Sequence, residues 1–242
     1  VMKPIHSYDQ IYFIGIGGIG MSALARYFKF TGKVVAGYDK VPTPLTTALE
    51  NEGISVHYED MGADLPDEFK DPELTLVVYT PAIKQLDELT YFQKANFTIL
   101  KRAEVLGALT RTFQGLCVAG THGKTTTSSL LAHLLTELGT GCTAFLGGIA
   151  SNFDSNLVLH PTSPYAVIEA DEFDRSFLTL TPEVAVITAV DPDHLDIYGS
   201  PQEVINSYHS FSKKIKKKMD EHSFSSIILQ YIKPDQYYRR RW

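Results

Sequence analysis

Apolar residues gather along this chain in short runs, separated by stretches in which they recur every third or fourth position. A short apolar run bounded by turn residues marks a buried strand, and a recurrence near 3.6 residues marks an amphipathic helix. Residues 11–14, 34–38, 74–79, 97–100, 116–119, 142–146, 165–168 and 184–188 therefore read as strands. Between them, 21–31, 46–52, 86–95, 103–111 and a segment opening at Lys124 read as helices. In that last segment Leu130, Leu131, Leu134, Leu135 and Leu138 share one apolar face. Ser200-Pro201-Gln202-Glu203 joins a capping box to a proline at the first helical position, so a further helix begins there. Gly147-Gly148 closes its strand, and 149–164 reads as loop. Past Met219 the pattern decays to one strand-like run over 226–232 and a tyrosine- and arginine-rich end.

Short strands alternating with helices through brief connections predict an α/β fold whose mostly parallel sheets are covered on both faces. The pattern restarts near Leu109–Gln114, which divides the 242 residues into domains at 1–110 and 111–242. Each is large enough for a core of its own. A composition 44% hydrophobic and 21% charged is that of a soluble globular protein. There is no apolar run of membrane-spanning length and no signal-peptide pattern, so no membrane partner is expected. Cys117 and Cys142 both sit in apolar strand-like runs and read as buried reduced thiols of a cytoplasmic protein. Net charge is −6, yet Lys213–Trp242 carries nine Lys/Arg against three Asp/Glu. A basic tail can mark nucleic-acid binding. Lys213–Lys218 instead continues a helical pattern as its solvated end, and no nucleic-acid partner is expected.

The candidate chemistry lies where strands end. Residues 11–39 form a βαβ unit with Gly15-Ile16-Gly17-Gly18-Ile19-Gly20 at its first turn and Asp39 closing its second strand. This Rossmann-like arrangement brings backbone amides and a helix N-terminus to a diphosphate. Read alone it points to NAD or FAD, although any anionic diphosphate could sit there. Lys101-Arg102 follows another strand, which makes Arg102 a further candidate, while His57 reads as surface or core filler.

A second loop, Val118-Ala-Gly120-Thr121-His122-Gly123-Lys124-Thr125-Thr126-Thr127, again runs from buried strand to helix. Glycines let amides close on phosphates, Lys124 offers a charge to the outer ones, and the Thr125 hydroxyl suits Mg²⁺. The general pattern wants glycine where Val118 stands, so the loop is a variant. Downstream, Glu169, Asp171, Glu172 and Asp174 crowd beyond a strand. Such crowding is costly unless a cation neutralises some of them, and a nucleotide's Mg²⁺ is normally held at a strand end of this kind. Asp191-Pro-Asp193-His194-Leu-Asp196 ends the next strand, and His194 there could ligate a second metal or bond a phosphate.

With these residues the chain resembles the Mur ligases, ATP-dependent amide-forming enzymes of peptidoglycan precursor synthesis, over about residues 5–215. The resemblance rests on Phe13–Ala25, Gly120–Thr127, Glu169–Phe177 and Asp191–Gly199, in that order. It implies a Rossmann-like UDP-sugar domain followed by a partial P-loop ATPase domain. Gly17, Gly18, Ile19, Gly20, Met21 and Ser22 would hold the UDP diphosphate, with Asp39, Thr80, Pro81 and Ala82 near the nucleotide-sugar. Gly120–Thr126 would bind ATP. Lys124, Glu169 and His194 would be catalytic, with Thr125, Glu169 and His194 on Mg²⁺. The implied partners are UDP-N-acetylmuramate and L-alanine, joined through an acyl phosphate. Sister ligases carry a metal-bridging modified lysine where this chain has His209, so none is assigned.

The family's chains are nearly twice this long, and the resemblance implies that a third domain bringing the amino acid is absent. The 242-residue chain is then expected to bind the UDP-sugar with little or no ligation of its own. Three alternatives stand beside the alanine-adding ligase. One is a recycling ligase that attaches a preformed tripeptide to the same UDP-sugar, and another is a UDP-sugar-binding fragment without turnover. The third, an NAD-dependent oxidoreductase, leaves the second loop unexplained.

Overall fold

The structure, a computed structural model, describes residues 3–83 and 85–216, together with the strand backbone of 227–229. The remainder of the basic, aromatic tail lies outside the described residues. The chain divides into two units, Val1–Leu109 with Gly147–Leu159, and Thr110–Leu146 with His160–Trp242.

In the first unit β1 (Gln10–Ile14) is followed by α1 (Ile19–Phe30), β2 (Val34–Tyr38), α2 (Pro44–Asn51) and β3 (Ser55–His57). Then come β4 (Thr75–Tyr79), α3 (Asp87–Lys94), β5 (Thr98–Lys101) and α4 (Arg102–Thr112). The five strands form a parallel sheet in the order β3-β2-β1-β4-β5. The order reverses at β1, which opens a crevice outside the carboxyl ends of β1 and β4. Tyr12, Ile14, Tyr38, Phe69, Val77, Phe92 and Phe97 pack into one core cluster. The α2 helix begins two residues earlier than its periodicity suggests. Thr43 and Thr46 cap each other's backbone amides at 3.2 and 2.8 Å, and Pro44 takes the first helical position.

His57 belongs to a buried polar cluster. Glu88, fully buried, accepts from the Tyr12 hydroxyl at 2.7 Å and the Met61 amide at 3.0 Å, and its Oε1 lies 2.7 Å from His57 Nε2. Asp60 caps the first turn of α3 by accepting from the amides of Asp87 and Glu88 at 2.6 and 3.1 Å. Leu86, at the N-cap, has no side chain that could do so.

The second unit starts with β6 (Gln114–Ala119) and α5 (Lys124–Glu137). Next in the chain come β7 (Thr143–Ala150) and β8 (Ser155–Val158), of which residues from Gly147 on group with the first unit, then β9 (Tyr165–Glu169), β10 (Val184–Ile187), α6 (Leu195–Tyr198), α7 (Pro201–Ser212) and β11 (Ile227–Leu229). The sheet order is β11-β10-β6-β9-β7-β8, and β6 is flanked by β10 and β9 in parallel. Phe177 stacks on Phe211 with centroids 4.9 Å apart and meets Tyr208 edge-on at 5.2 Å. Among the described residues no helix is long and apolar enough to cross a membrane.

Four expectations change. The leucine face of α5 is not its buried face: Leu130, Leu134 and Leu138 are 56%, 48% and 76% exposed, while Ser128 and Ala132 are fully buried. The helix lies on β6 and β9, and small side chains at that contact let it approach closely. Second, β7 runs straight through Gly147 and Gly148, and β8 falls inside the stretch read as loop. Glycine weakens a strand without forbidding it.

Third, the segment after 110 is not one continuous domain, because 147–159 group with the first unit. Asn156, buried on β8, donates to the Ile19 carbonyl and to Ser22 Oγ at 3.2 Å. Its Oδ1 accepts from Arg26 at 3.0 Å, and Arg26 in turn forks onto Glu52. Fourth, only half of the α7 capping box forms. Ser200 Oγ accepts from the Glu203 amide at 3.3 Å, whereas the Glu203 carboxylate turns to Asn206 and Arg175.

Candidate functional site

In the first unit the glycine loop leaves the end of β1 between Asp39 and Thr80. The register pairs Ile14 with both Tyr38 and Tyr79, so the residues that follow all three strands meet at one edge. Gly15 has φ +85°, and a Cβ there would run into the Thr80 side chain. At Gly17 a Cβ would lie 2.6 Å from the Thr46 methyl and 2.8 Å from Asp39 Oδ2. That close approach lets the Gly17 amide donate to Asp39 at 2.7 Å, while Asp39 Oδ1 accepts from the Lys40 amide at 2.7 Å. Asp39 therefore braces the loop's backbone. Arg102 lies against Gly20, where any Cβ would collide with its guanidinium. Gly18 is different: it is exposed, and a Cβ would meet only ordinary contacts at 3.6 Å. Ser22 is fully buried and bonded within α1 and to Asn156. Pro81 and Ala82 are exposed in the turn after β4, where the Ala82 amide stands 3.4 Å from Thr80 Oγ1.

In the second unit the loop from Gly120 to Gly123 leaves β6 between its two parallel neighbours. Gly120 has φ +135° and Gly123 φ +80°, so the loop bends through conformations that L residues avoid. It is tied to the segment after β10. The Thr121 amide donates to the Ala189 carbonyl at 3.0 Å, and the Asp191 amide to Thr121 Oγ1 at 3.1 Å. The Thr188 hydroxyl bonds the carbonyls of Ala119 and His122. Lys124 opens α5 and folds back over the loop, donating to the Gly120 carbonyl at 2.7 Å. Thr125 Oγ1 donates to Glu169 Oε1 at 3.0 Å, since Glu169 ends β9 in register with Val118.

The sequence-derived candidates separate into two groups here. Thr125 and Glu169 form one. Lys124 and His194 form the other, joined by Glu172, which sequence reasoning had not singled out from its acidic neighbours. Glu172 is 3% exposed, and its oxygens lie 2.9 and 2.7 Å from Lys124 Nζ and 3.8 Å from His194 Nε2. The Tyr198 hydroxyl holds its carbonyl at 2.6 Å. His194, Asp174 and Arg175 all adopt positive φ, between +51° and +56°. Two of them follow Glu172 within three residues and the third carries the ring that faces its carboxylate, and such local strain clusters at functional sites. Among the described residues no group of three or more His, Cys, Asp or Glu forms a metal centre. Mg²⁺ does not demand one, because it keeps several waters and is shared with substrate phosphates. A hydroxyl and a carboxylate 3.0 Å apart at the mouth of a glycine loop are the hard oxygen donors it takes.

Two sheets, each sending a glycine loop from a central, parallel-paired strand into a helix, define an α/β protein of the kind that receives phosphate groups at helix N-termini. Residues 10–114 match the Mur ligase family, catalytic domain, and residues 118–233 the Mur ligase middle domain. The chain belongs to the Mur ligase family. It is 57% identical over 213 residues to the UDP-N-acetylmuramate–L-alanine ligase of Parabacteroides distasonis, covering 88% of this chain and 46% of that protein. With the enzyme of the same name from Porphyromonas gingivalis it shares 51% identity over 226 residues, 93% and 48% of the two chains. The chain thus spans about half the length of these relatives.

Among solved structures, the UDP-N-acetylmuramate:L-alanyl-gamma-D-glutamyl-meso-diaminopimelate ligase of Neisseria meningitides superposes with a TM-score of 0.77 at 31% identity. It covers 87% of this chain and 69% of that one. The UDP-N-acetylmuramate-alanine ligase of Thermotoga maritima gives 0.75 at 31% identity, with 85% and 47% covered.

Proposed function

We propose that these residues are the nucleotide-binding part of a ligase that joins L-alanine to the carboxylate of UDP-N-acetylmuramate at the expense of ATP. The observation that carries this reading is the second loop. Lys124 and Thr125 open a helix off a glycine turn, and Thr125 is bonded to a strand-end carboxylate, Glu169. Gly120–Thr126 would cradle the triphosphate with backbone amides, and Lys124 would neutralise its outer phosphates as the substrate carboxylate attacks. Thr125 and Glu169 would hold Mg²⁺, and His194 a second cation. When bound, the metal screens the repulsion between two anions that must meet in line. In the first unit, Gly17–Ser22 would hold the UDP diphosphate, with Asp39 fixing the loop's shape. Thr80–Ala82 would line the nucleotide-sugar, and the Arg102 guanidinium would add charge beside Gly20.

A second reading is favoured by the superposition on the Neisseria ligase, of which the chain covers 69%. On that reading a preformed peptide, rather than L-alanine, is joined to the same UDP-sugar. Phosphate release by the whole protein with either amine separates the two. For the residues in hand the test is calorimetry with UDP-N-acetylmuramate, NADH and Mg·ATP. The expected result is binding of the first and third, with Lys124→Met losing ATP and retaining the UDP-sugar. Tight binding of NADH without UDP-N-acetylmuramate would overturn the proposal.

A further inference from the structure

Lys124 is the group through which the second loop would meet a polyphosphate, yet it is already engaged. Of its three N–H donors, one goes to the Gly120 carbonyl at 2.7 Å and one to Glu172 Oε1 at 2.9 Å. Glu172 Oε2 lies 2.7 Å from the same nitrogen. Both side chains are shielded, with 16% of the lysine's and 3% of the glutamate's surface exposed, so water screens the pair little. Both Glu172 oxygens thus face the same Lys124 ammonium. The His194 ring lies 3.8 Å from Glu172 Oε1, the Tyr198 hydroxyl donates to the Glu172 carbonyl, and Asp174 and Arg175, two and three residues on, are left-handed.

From this arrangement we infer that Glu172 is the counter-ion of the phosphate-loop lysine and competes with the nucleotide's phosphates for it. Glu172 need not touch substrate. It is a positioning residue that holds Lys124 back over the loop until a polyphosphate draws the ammonium away. The inference rests on the reading of 120–127 as an ATP loop and deepens it. Nucleotide affinity is then set partly by a carboxylate behind the loop, and a divalent cation helps by adding positive charge where the lysine's is already spent.

The test is titration of the 242-residue chain with a fluorescent N-methylanthraniloyl ATP in EDTA and again in Mg²⁺. Glu172→Gln keeps the shape and removes the competing charge, so metal-free affinity should rise by roughly tenfold and the gain from Mg²⁺ should shrink. Damage to the site would move affinity the other way, so a merely structural role does not imitate this result. Glu172→Asp keeps the charge one methylene further back, and its metal-free affinity should fall between the two. It carries the test if the glutamine variant does not fold. Unchanged or weaker metal-free binding in the folded Glu172→Gln chain, or in Glu172→Asp if only that folds, overturns the inference. Lys124→Met is run alongside. Full retention of nucleotide by Lys124→Met would overturn the loop assignment itself, and this inference with it.

Discussion

Gly120→Ala is the substitution whose cost can be worked most fully from the geometry. At φ +135° an L residue is strained whatever space surrounds it, which costs about 1–3 kcal/mol. The added Cβ would also strike the Thr188 hydroxyl and lie 2.9 Å from the Ala189 nitrogen and 3.0 Å from the Thr188 nitrogen. Two of these three contacts are backbone, which cannot swing aside, so overpacking adds about 1–3 kcal/mol. A total of about 2–6 kcal/mol should lower the melting temperature by roughly 6 °C at the least and some tens of degrees at the most, at roughly 3–6 °C per kcal/mol for a unit of this size. ATP binding should be lost as well, because on the proposed reading the shifted backbone would be the cradle.

A second substitution sharpens the argument. Adding Thr188→Ala removes the hydroxyl but leaves both backbone nitrogens in the way, and it gives up that hydroxyl's bonds to the carbonyls of Ala119 and His122. The double variant should regain no more than about 1 kcal/mol. Thermal denaturation by circular dichroism, paired with calorimetry for Mg·ATP, measures both. Gly120→Ala with native melting and native ATP affinity would refute the account. Full rescue by Thr188→Ala would refute its backbone part.

Gly18 offers the contrasting case: a Cβ there meets only ordinary contacts, so Gly18→Val should melt like the parent. It should nevertheless weaken UDP-N-acetylmuramate binding at least tenfold by standing between the loop amides and the diphosphate; unchanged calorimetric affinity removes that assignment. Thr125→Val should leave metal-free nucleotide binding intact and cut the gain from Mg²⁺, and an undiminished Mg²⁺ effect argues against Thr125 as a ligand. Burial pushes the thiols up, Cys117 to about 12 and Cys142 to about 11. With the folded values raised, the stability they contribute is complete below the ordinary value of 9.0 and is lost as pH rises through 11–12. A thiol reagent at pH 8 should find neither cysteine until guanidinium unfolds the chain, so rapid native labelling would contradict their burial.

The strands were the legible part of this fold, because β1, β2, β4 and β9 are buried on both faces and announce themselves as unbroken apolar runs. Both glycine loops were legible for a related reason: a turn pressed this closely against neighbouring strand ends excludes side chains. Pattern failed where burial and hydrophobicity part company. On α5 the sheet takes Ser128 and Ala132 for closeness and leaves Leu130, Leu134 and Leu138 exposed, which no hydrophobic periodicity reveals. Glu172 was hidden among Glu169, Asp171 and Asp174, since residue type alone does not tell a solvated acid from one buried beneath a lysine. Gly147-Gly148 looked like a stop because propensity is local, whereas a strand's neighbours in the sheet are not.

The return of residues 147–159 to the first unit has a consequence for how the protein is made. A ribosome delivers residues in order, and most domains close as soon as their last residue clears the exit tunnel. Here the residues up to Leu109 emerge without Asn156, so the Ile19 carbonyl and Ser22, at the start of α1, have only each other until a further partner arrives from far downstream. During that interval β6, the Gly120–Gly123 loop and α5 are already outside. The nascent chain should therefore gain protease resistance in its N-terminal part only after residue 159 has emerged, and a polypeptide cut at residue 110 should remain open at that edge.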